Sequence, residues 1–166
     1  MTPAKKTTKK KAPRVMILLG SKSDLPVVEG AGPLLDRFGL SWEIEVASAH
    51  RQPAKLHRVI KRGEAGGTEV YVACAGMAAH LPGVVASLTA KPVIGVPVAG
   101  SSAGGVAGMD ALLSIVQMPP GVPVATVAIG SAGAKNAAVL AARILALKDK
   151  AVARKLDEYR AELARG

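Results

Sequence analysis

Five short apolar runs, each followed by a stretch of helical spacing, organise this chain. Residues 14–19 are almost continuously apolar and stop at Gly20, the pattern of a strand buried on both faces. Residues 41–47 alternate between apolar and polar, 69–73 and 92–96 are further strand runs, and 123–128 form the fifth. Between them the spacing predicts helices. The first starts at Asp24, read as its N-cap, and reaches Phe38 with a kink at Gly30, Gly32 and Pro33. A second covers 54–65 and is broken at Gly66 and Gly67, and a short third covers 84–89 with His80 just ahead of it. A fourth runs from Asp110 to Gln117, and a fifth, apolar nearly all round, over 134–148. Val152, Leu156, Tyr159 and Leu163 recur at helical intervals and add an amphipathic C-terminal helix.

Strand and helix alternate five times with no hairpin signal between strands. Parallel strands need crossovers, and these are right-handed almost without exception. The fold expected is an α/β, three-layer αβα sandwich: a doubly wound five-stranded parallel sheet of flavodoxin-like order, plus the C-terminal helix. Such sheets bind ligands beyond the carboxyl ends of their strands. Three polar clusters sit at those ends here.

Composition sharpens this picture. The length, 166 residues, suits one domain. Half of the formal net charge of +10 comes from Lys5, Lys6, Lys9, Lys10 and Lys11. Residues 1–13 therefore read as a disordered basic tail, and 14–166 as a single domain that includes the last helix. One Trp, two Tyr and one Phe leave little for base stacking, which ranks nucleic acid low as a partner. No apolar run is long enough for a membrane span, and the basic start lacks the apolar core of a secretory signal. The lone Cys74 excludes a disulfide within the chain and fits a reducing, cytoplasmic location. A hydrophobic fraction of 49%, with a helix apolar on every side, points to a homo-oligomer. Residues 99–108, rich in glycine and serine, read as a mobile loop.

The chemistry concentrates at the strand ends. After the second strand come Ser48, Ala49, His50 and Arg51: a hydroxyl, a proton carrier and a cation where free backbone N–H groups gather ahead of a helix. The bland alternative is a structural hydrogen bond and a surface cation, and that reading suits His57, which sits in polar helical sequence. After the first strand, Gly20–Asp24 lacks the spaced glycines and Gly-Lys-Ser/Thr ending of a Walker loop. It is either a plain capped turn or a place where Ser21 and Ser23 donate to anionic oxygens and Asp24 accepts from ribose hydroxyls. His80, at a helix start, suits a neutral positioning group, since the dipole there disfavours a charged ring. His50, His57, His80 and Cys74 show no metal-ligand spacing, and Cys74 lies in a buried-strand sequence where a thiol is inert.

Taken together, Gly20–Asp24, Ser48–Arg51, Ala75–Gly83 and Leu112–Pro119 resemble the PurE family, class I, over about residues 14–160. The resemblance implies a cofactor-free, metal-free mutase of purine biosynthesis, N5-carboxyaminoimidazole ribonucleotide being its small-molecule nucleotide substrate. The Ala78–Gly83 segment looks like the mutase class rather than the class that carboxylates with free CO2. By position, His50 is the general acid/base; Ser23, Ser48 and Arg51 hold the 5′-phosphate, and Asp24 the ribose. Ser21, Ala49, Gly76, His80 and Leu81 line the ring and carboxylate pocket. The resemblance also implies a homo-octamer with C-terminal helices reaching neighbouring subunits. Two rivals stand beside it: direct CO2-dependent carboxylation, and a non-catalytic nucleotide- or flavin-binding module. The second lacks both a GxGxxG turn and aromatic platforms.

Overall fold

The computed structural model describes residues 12–99 and 107–166. Most of the tail and most of the 99–108 loop lie outside the described residues. Ala12 and Pro13, assigned to the tail from sequence, are buried: the Ala12 N–H donates to Gly66 O, and Pro13 O accepts from the Thr68 hydroxyl.

Five strands are described: β1 (Val15–Leu19), β2 (Trp42–Val46), β3 (Val70–Gly76), β4 (Val93–Val98) and β5 (Ala125–Thr126). They form one sheet in the order β2-β1-β3-β4-β5, every pairing parallel. This is the doubly wound, flavodoxin-like arrangement expected. The central strands β1, β3 and β4 are buried along almost their whole length, whereas the edge strand β2 is half-buried. That difference is why β1 reads as a continuous apolar run and β2 as an alternating one.

Among the described residues seven helices cover the sheet: α1 (Leu25–Val28), α2 (Ala31–Arg37), α3 (Pro53–Gly66), α4 (Leu81–Leu88), α5 (Met109–Val116), α6 (Gly130–Ala146) and α7 (Lys150–Leu163). The core is split in two by the sheet. On one face Ile17, Cys74 and Val96 pack with α2, α6 and α7; on the other Leu18, Tyr71 and Ala73 pack with α3, α4 and α5.

Some details depart from the sequence reading. The expected kink in the first helix is a full break between α1 and α2 at Glu29 and Gly30. Helix α4 begins three residues before the predicted start, because Pro82 lies in the first turn, where its missing N–H leaves no bond unmade. Strand β5 keeps only two of six predicted residues: it has β4 on one side alone, and only Ala125 and Thr126 hold register with it. Helix α6 starts at Gly130, and one side of its apolar circumference is covered within the chain, while Val139, Leu140 and Ile144 stay partly exposed. Ala137, Ala138, Ala141 and Ala142 are buried between the sheet and its neighbours α2 and α7. In α7, Val152 and Leu156 are buried against the same subunit, while Leu163 is exposed.

Candidate active site

The carboxyl ends of β1, β2 and β3 point the same way, and a cleft of about 490 Å³ opens above them. The turn after β1 contributes Ser21, Ser23 and Asp24; the turn after β2, Ser48, Ala49, His50 and Arg51; and the β3–α4 connection, Gly76, His80 and Leu81. All ten residues singled out from sequence therefore line one cavity. His57 lies elsewhere, exposed on α3.

The β1 turn is a 3-10 turn over Lys22–Asp24, closed by a capping box. The Ser21 hydroxyl oxygen accepts from the Ser23 N–H at 3.3 Å, and Asp24 Oδ2 accepts from the Ser21 N–H at 3.0 Å. Asp24 was expected to cap the first helix through its own side chain. Its carboxylate instead reaches back to Ser21, because the 3-10 turn places it at the box's third position. Asp24 is buried, and that burial raises its carboxyl above the usual range despite the Ser21 N–H, the Ser23 hydroxyl and the Arg51 charge, which all pull it down.

The β2 turn is tied to the β1 turn. The Ser48 hydroxyl oxygen accepts from the Arg51 N–H at 3.2 Å, Ser48 O accepts from the Gln52 N–H at 2.9 Å, and the Arg51 guanidinium donates to Gly20 O at 3.4 Å. Ser48 is itself buried. One cation and three hydroxyls thus converge on a small region, the donor set an anionic phosphate requires.

The third side is built on the β3–α4 connection. A Cβ at Gly76 would lie 2.9 Å from Val98 O, a backbone atom that cannot swing aside, so the closeness of β4 dictates glycine there. Met77 follows with a left-handed φ of 57° and an exposed side chain. The chain then turns so that His80 faces the β2 turn: His50 Nε2 lies 2.6 Å from His80 Nδ1. The rings meet edge to face, with centroids 4.7 Å apart. Nothing in the spacing of 50 and 80 announces this contact; it follows from β1 lying between β2 and β3. The cleft also includes Val27, Met77 and Val98, which sequence reasoning passed over because each reads locally as core or linker.

Cys74, at the end of β3, is fully buried, and burial pushes its thiol far up, consistent with the inert role expected. Among the described residues no group of three His, Cys, Asp or Glu side chains could hold a metal ion, and no helix is long and apolar enough to cross a membrane.

A parallel doubly wound sheet whose switch-side cleft holds hydroxyls, a guanidinium and two facing imidazoles defines an α/β protein built to bind a phosphorylated small molecule and move a proton. The family model described as AIR carboxylase matches residues 14–166, and the chain belongs to that family. It is 54% identical over 153 residues to the N5-carboxyaminoimidazole ribonucleotide mutase of Thermotoga maritima, covering 92% of this chain and 86% of that one. The mutase of the same name from Pyrococcus abyssi is 52% identical, covering 92% and 85%. Among solved structures, the crystal structure of Treponema denticola PurE superposes with a TM-score of 0.81 at 34% identity, covering 91% of each chain.

Proposed function

We propose that this chain converts N5-carboxyaminoimidazole ribonucleotide to 4-carboxy-5-aminoimidazole ribonucleotide in de novo purine biosynthesis, with His50 as the general acid/base. The observation that carries the reading is the convergence of the β1 turn, the β2 turn and the His50–His80 pair on one cleft. The mutases at 50% identity and above support the choice of reaction.

The chemistry needs one proton carrier. Protonation of the carbamate nitrogen lets the N–C bond break, with the electron pair returning to nitrogen and CO2 released beside the aminoimidazole. C4 of the ring, enamine-like, attacks that CO2 and forms the new C–C bond. The C4 proton then leaves. His50 donates the first proton and accepts the last, so the enzyme ends as it began. Ser23, Ser48 and Arg51 hold the 5′-phosphate and Asp24 the ribose, fixing the ring while CO2 is free. Ser21, the Ala49 backbone, Gly76, His80 and Leu81 surround the ring and carboxylate, and His80 orients His50 through the shared hydrogen.

Residues 14–166 act in this reading as one catalytic domain of a cytoplasmic homo-octamer. The family match begins at residue 14. Support for assembly comes from the apolar side chains left uncovered: Met109, Leu113 and Val116 along one stripe of α5, and Leu147 and Leu163 flanking α7.

The deciding experiment follows 13C-labelled carbamate substrate by NMR in the absence of ATP and added metals. Transfer of the label to the ring carboxylate is expected. Turnover of aminoimidazole ribonucleotide with bicarbonate at an equal or higher rate would replace the mutase by a direct carboxylase.

A further inference from the structure

We infer that Lys55, outside the cleft, is a positioning residue that straps the turn bearing Ser48, His50 and Arg51 to the end of β2. The inference rests on the reaction proposed above and assigns that site a support that neither motif nor family description contains.

β2 is the outer strand, with β1 on one side only. The Ala47 N–H donates to Leu19 O on β1 at 2.9 Å. Across a trans peptide the preceding carbonyl points the opposite way, so Val46 O faces the open edge, where no strand lies among the described residues. Lys55 Nζ meets it there at 2.6 Å, a short, charge-assisted bond. Glu45 Oε2 stands 3.6 Å from the same ammonium.

Lys55 is the third residue of α3, whose first turn contains no acid. A cation there opposes the helix dipole and lowers helix stability locally. Gln52, the N-cap, makes no side-chain capping bond either. Pro53 suits the first helical position, yet neither an acid nor a side-chain cap holds this helix start, and Lys55 directs its charge to the strand. The bond closes a loop from Val46 to Lys55 that contains four of the ten cleft residues. Inside it, the bonds made by Ser48 fix the turn's own shape. On the β1 side the Ala47 N–H and the Arg51 guanidinium tie the turn to Leu19 O and Gly20 O; on the open side Lys55 ties it to Val46 O. Loss of the Lys55 bond leaves the open side unheld, so the turn tilts about its β1 side and His50 shifts relative to His80. Displacements of about 1 Å in reacting groups cost on the order of 100-fold in rate.

The test compares Lys55→Met, which keeps the apolar stem and loses the donor, with Lys55→Arg, which keeps a donor. Steady-state kinetics on the carbamate nucleotide are paired with NMR of 15N-histidine-labelled protein, where the short His50–His80 bond gives a distinct imidazole signature. Lys55→Met is expected to lower kcat by roughly 10-fold or more, raise KM for the phosphorylated substrate and shift the histidine resonances; Lys55→Arg restores most of each. Wild-type kinetics and resonances in Lys55→Met, or equal damage in both variants, overturns the inference. Should the methionine variant not fold, Lys55→Leu, which also lacks a donor, gives the same comparison. If the wild-type chain does not turn over the carbamate, the proposed reaction fails by itself, and the histidine resonances alone decide whether the strap exists.

Discussion

His50 Nε2 and His80 Nδ1 lie 2.6 Å apart, with their ring planes at 83°, so one nitrogen donates and the other accepts a single hydrogen. Two imidazoles with N–H groups aimed at each other cannot hold this geometry. The contact therefore couples the tautomers of the two rings and gives His50 a fixed direction. Replacing His50 by Asn is expected to leave nucleotide binding intact and lower kcat by about 100- to 10,000-fold, the usual worth of a positioned acid/base. Replacing His80 by Ala should cost less, with kcat falling more than KM rises, because a carrier remains but its orientation is lost. Steady-state kinetics and binding titrations on both variants check this, and near-normal turnover in His50→Asn removes the proposed role.

Asp24 combines burial with a place in the cleft. Its carboxyl is raised in the folded chain, chiefly by burial, so the folded state binds its proton more tightly than the unfolded state. An acid raised in this way favours folding when protonated. That contribution fades as pH rises through the window between its ordinary and its raised value. Asp24→Asn is expected to match or exceed the wild-type thermal midpoint at pH 7, while KM for the nucleotide rises about 10-fold through loss of a charged acceptor for ribose. Thermal melts together with kinetics separate the two effects. A variant both less stable and unimpaired in KM reverses the assignment.

Gly76 tests how tightly β3 and β4 close beneath the site. Gly76→Ala places a methyl against Val98 O, and neither backbone segment has free space to yield. A cost of about 1–3 kcal/mol is expected, as for overpacking elsewhere, with loss of activity at temperatures where the variant remains folded. Denaturant unfolding measures the first and residual turnover the second. An alanine variant of unchanged stability would mean that the two strands separate more easily than their spacing indicates.

A separate pH dependence lies at the far end of the sheet. Arg14 binds Glu69 at 2.9 Å and Asp149 at 2.7 Å, and Lys148 reaches Glu69 at 3.0 Å. Partial burial by itself would raise the Glu69 carboxyl, but Arg14 and Lys148 together hold it below the usual range; Arg14 does the same for Asp149. Lowered carboxylates stabilise the fold at pH values above their ordinary range, and this contribution is lost as pH falls through their folded values. Arg14→Met is expected to lower the thermal midpoint at pH 7 by several degrees and to flatten its fall below pH 5. Melts between pH 3 and 7 read this directly, and an unchanged acid limb rejects it.

The sequence alone determined the alternation of strands and helices, the doubly wound class and the strand ends where polar groups gather. These are local properties: burial on both faces writes a continuous apolar run at β1, an exposed edge writes alternation at β2, and Gly67 closes α3 with a left-handed φ of 94°. Of the ten cleft residues, those after β1 and β2 were legible for the same reason, and His80 as a polar group at a helix start; Gly76 and Leu81 were named only by the family resemblance. Tertiary structure decided what no local pattern carries. Sheet order brought His80 onto His50; the 3-10 turn redirected Asp24 from helix cap to capping-box partner; and the fold buried the alanine side of α6 within the chain. The bare edge of β2 found Lys55 in the same way. Such contacts depend on which strands become neighbours, and that choice is made by burial of the whole sheet at once, which the residues near 50 or 80 do not encode on their own.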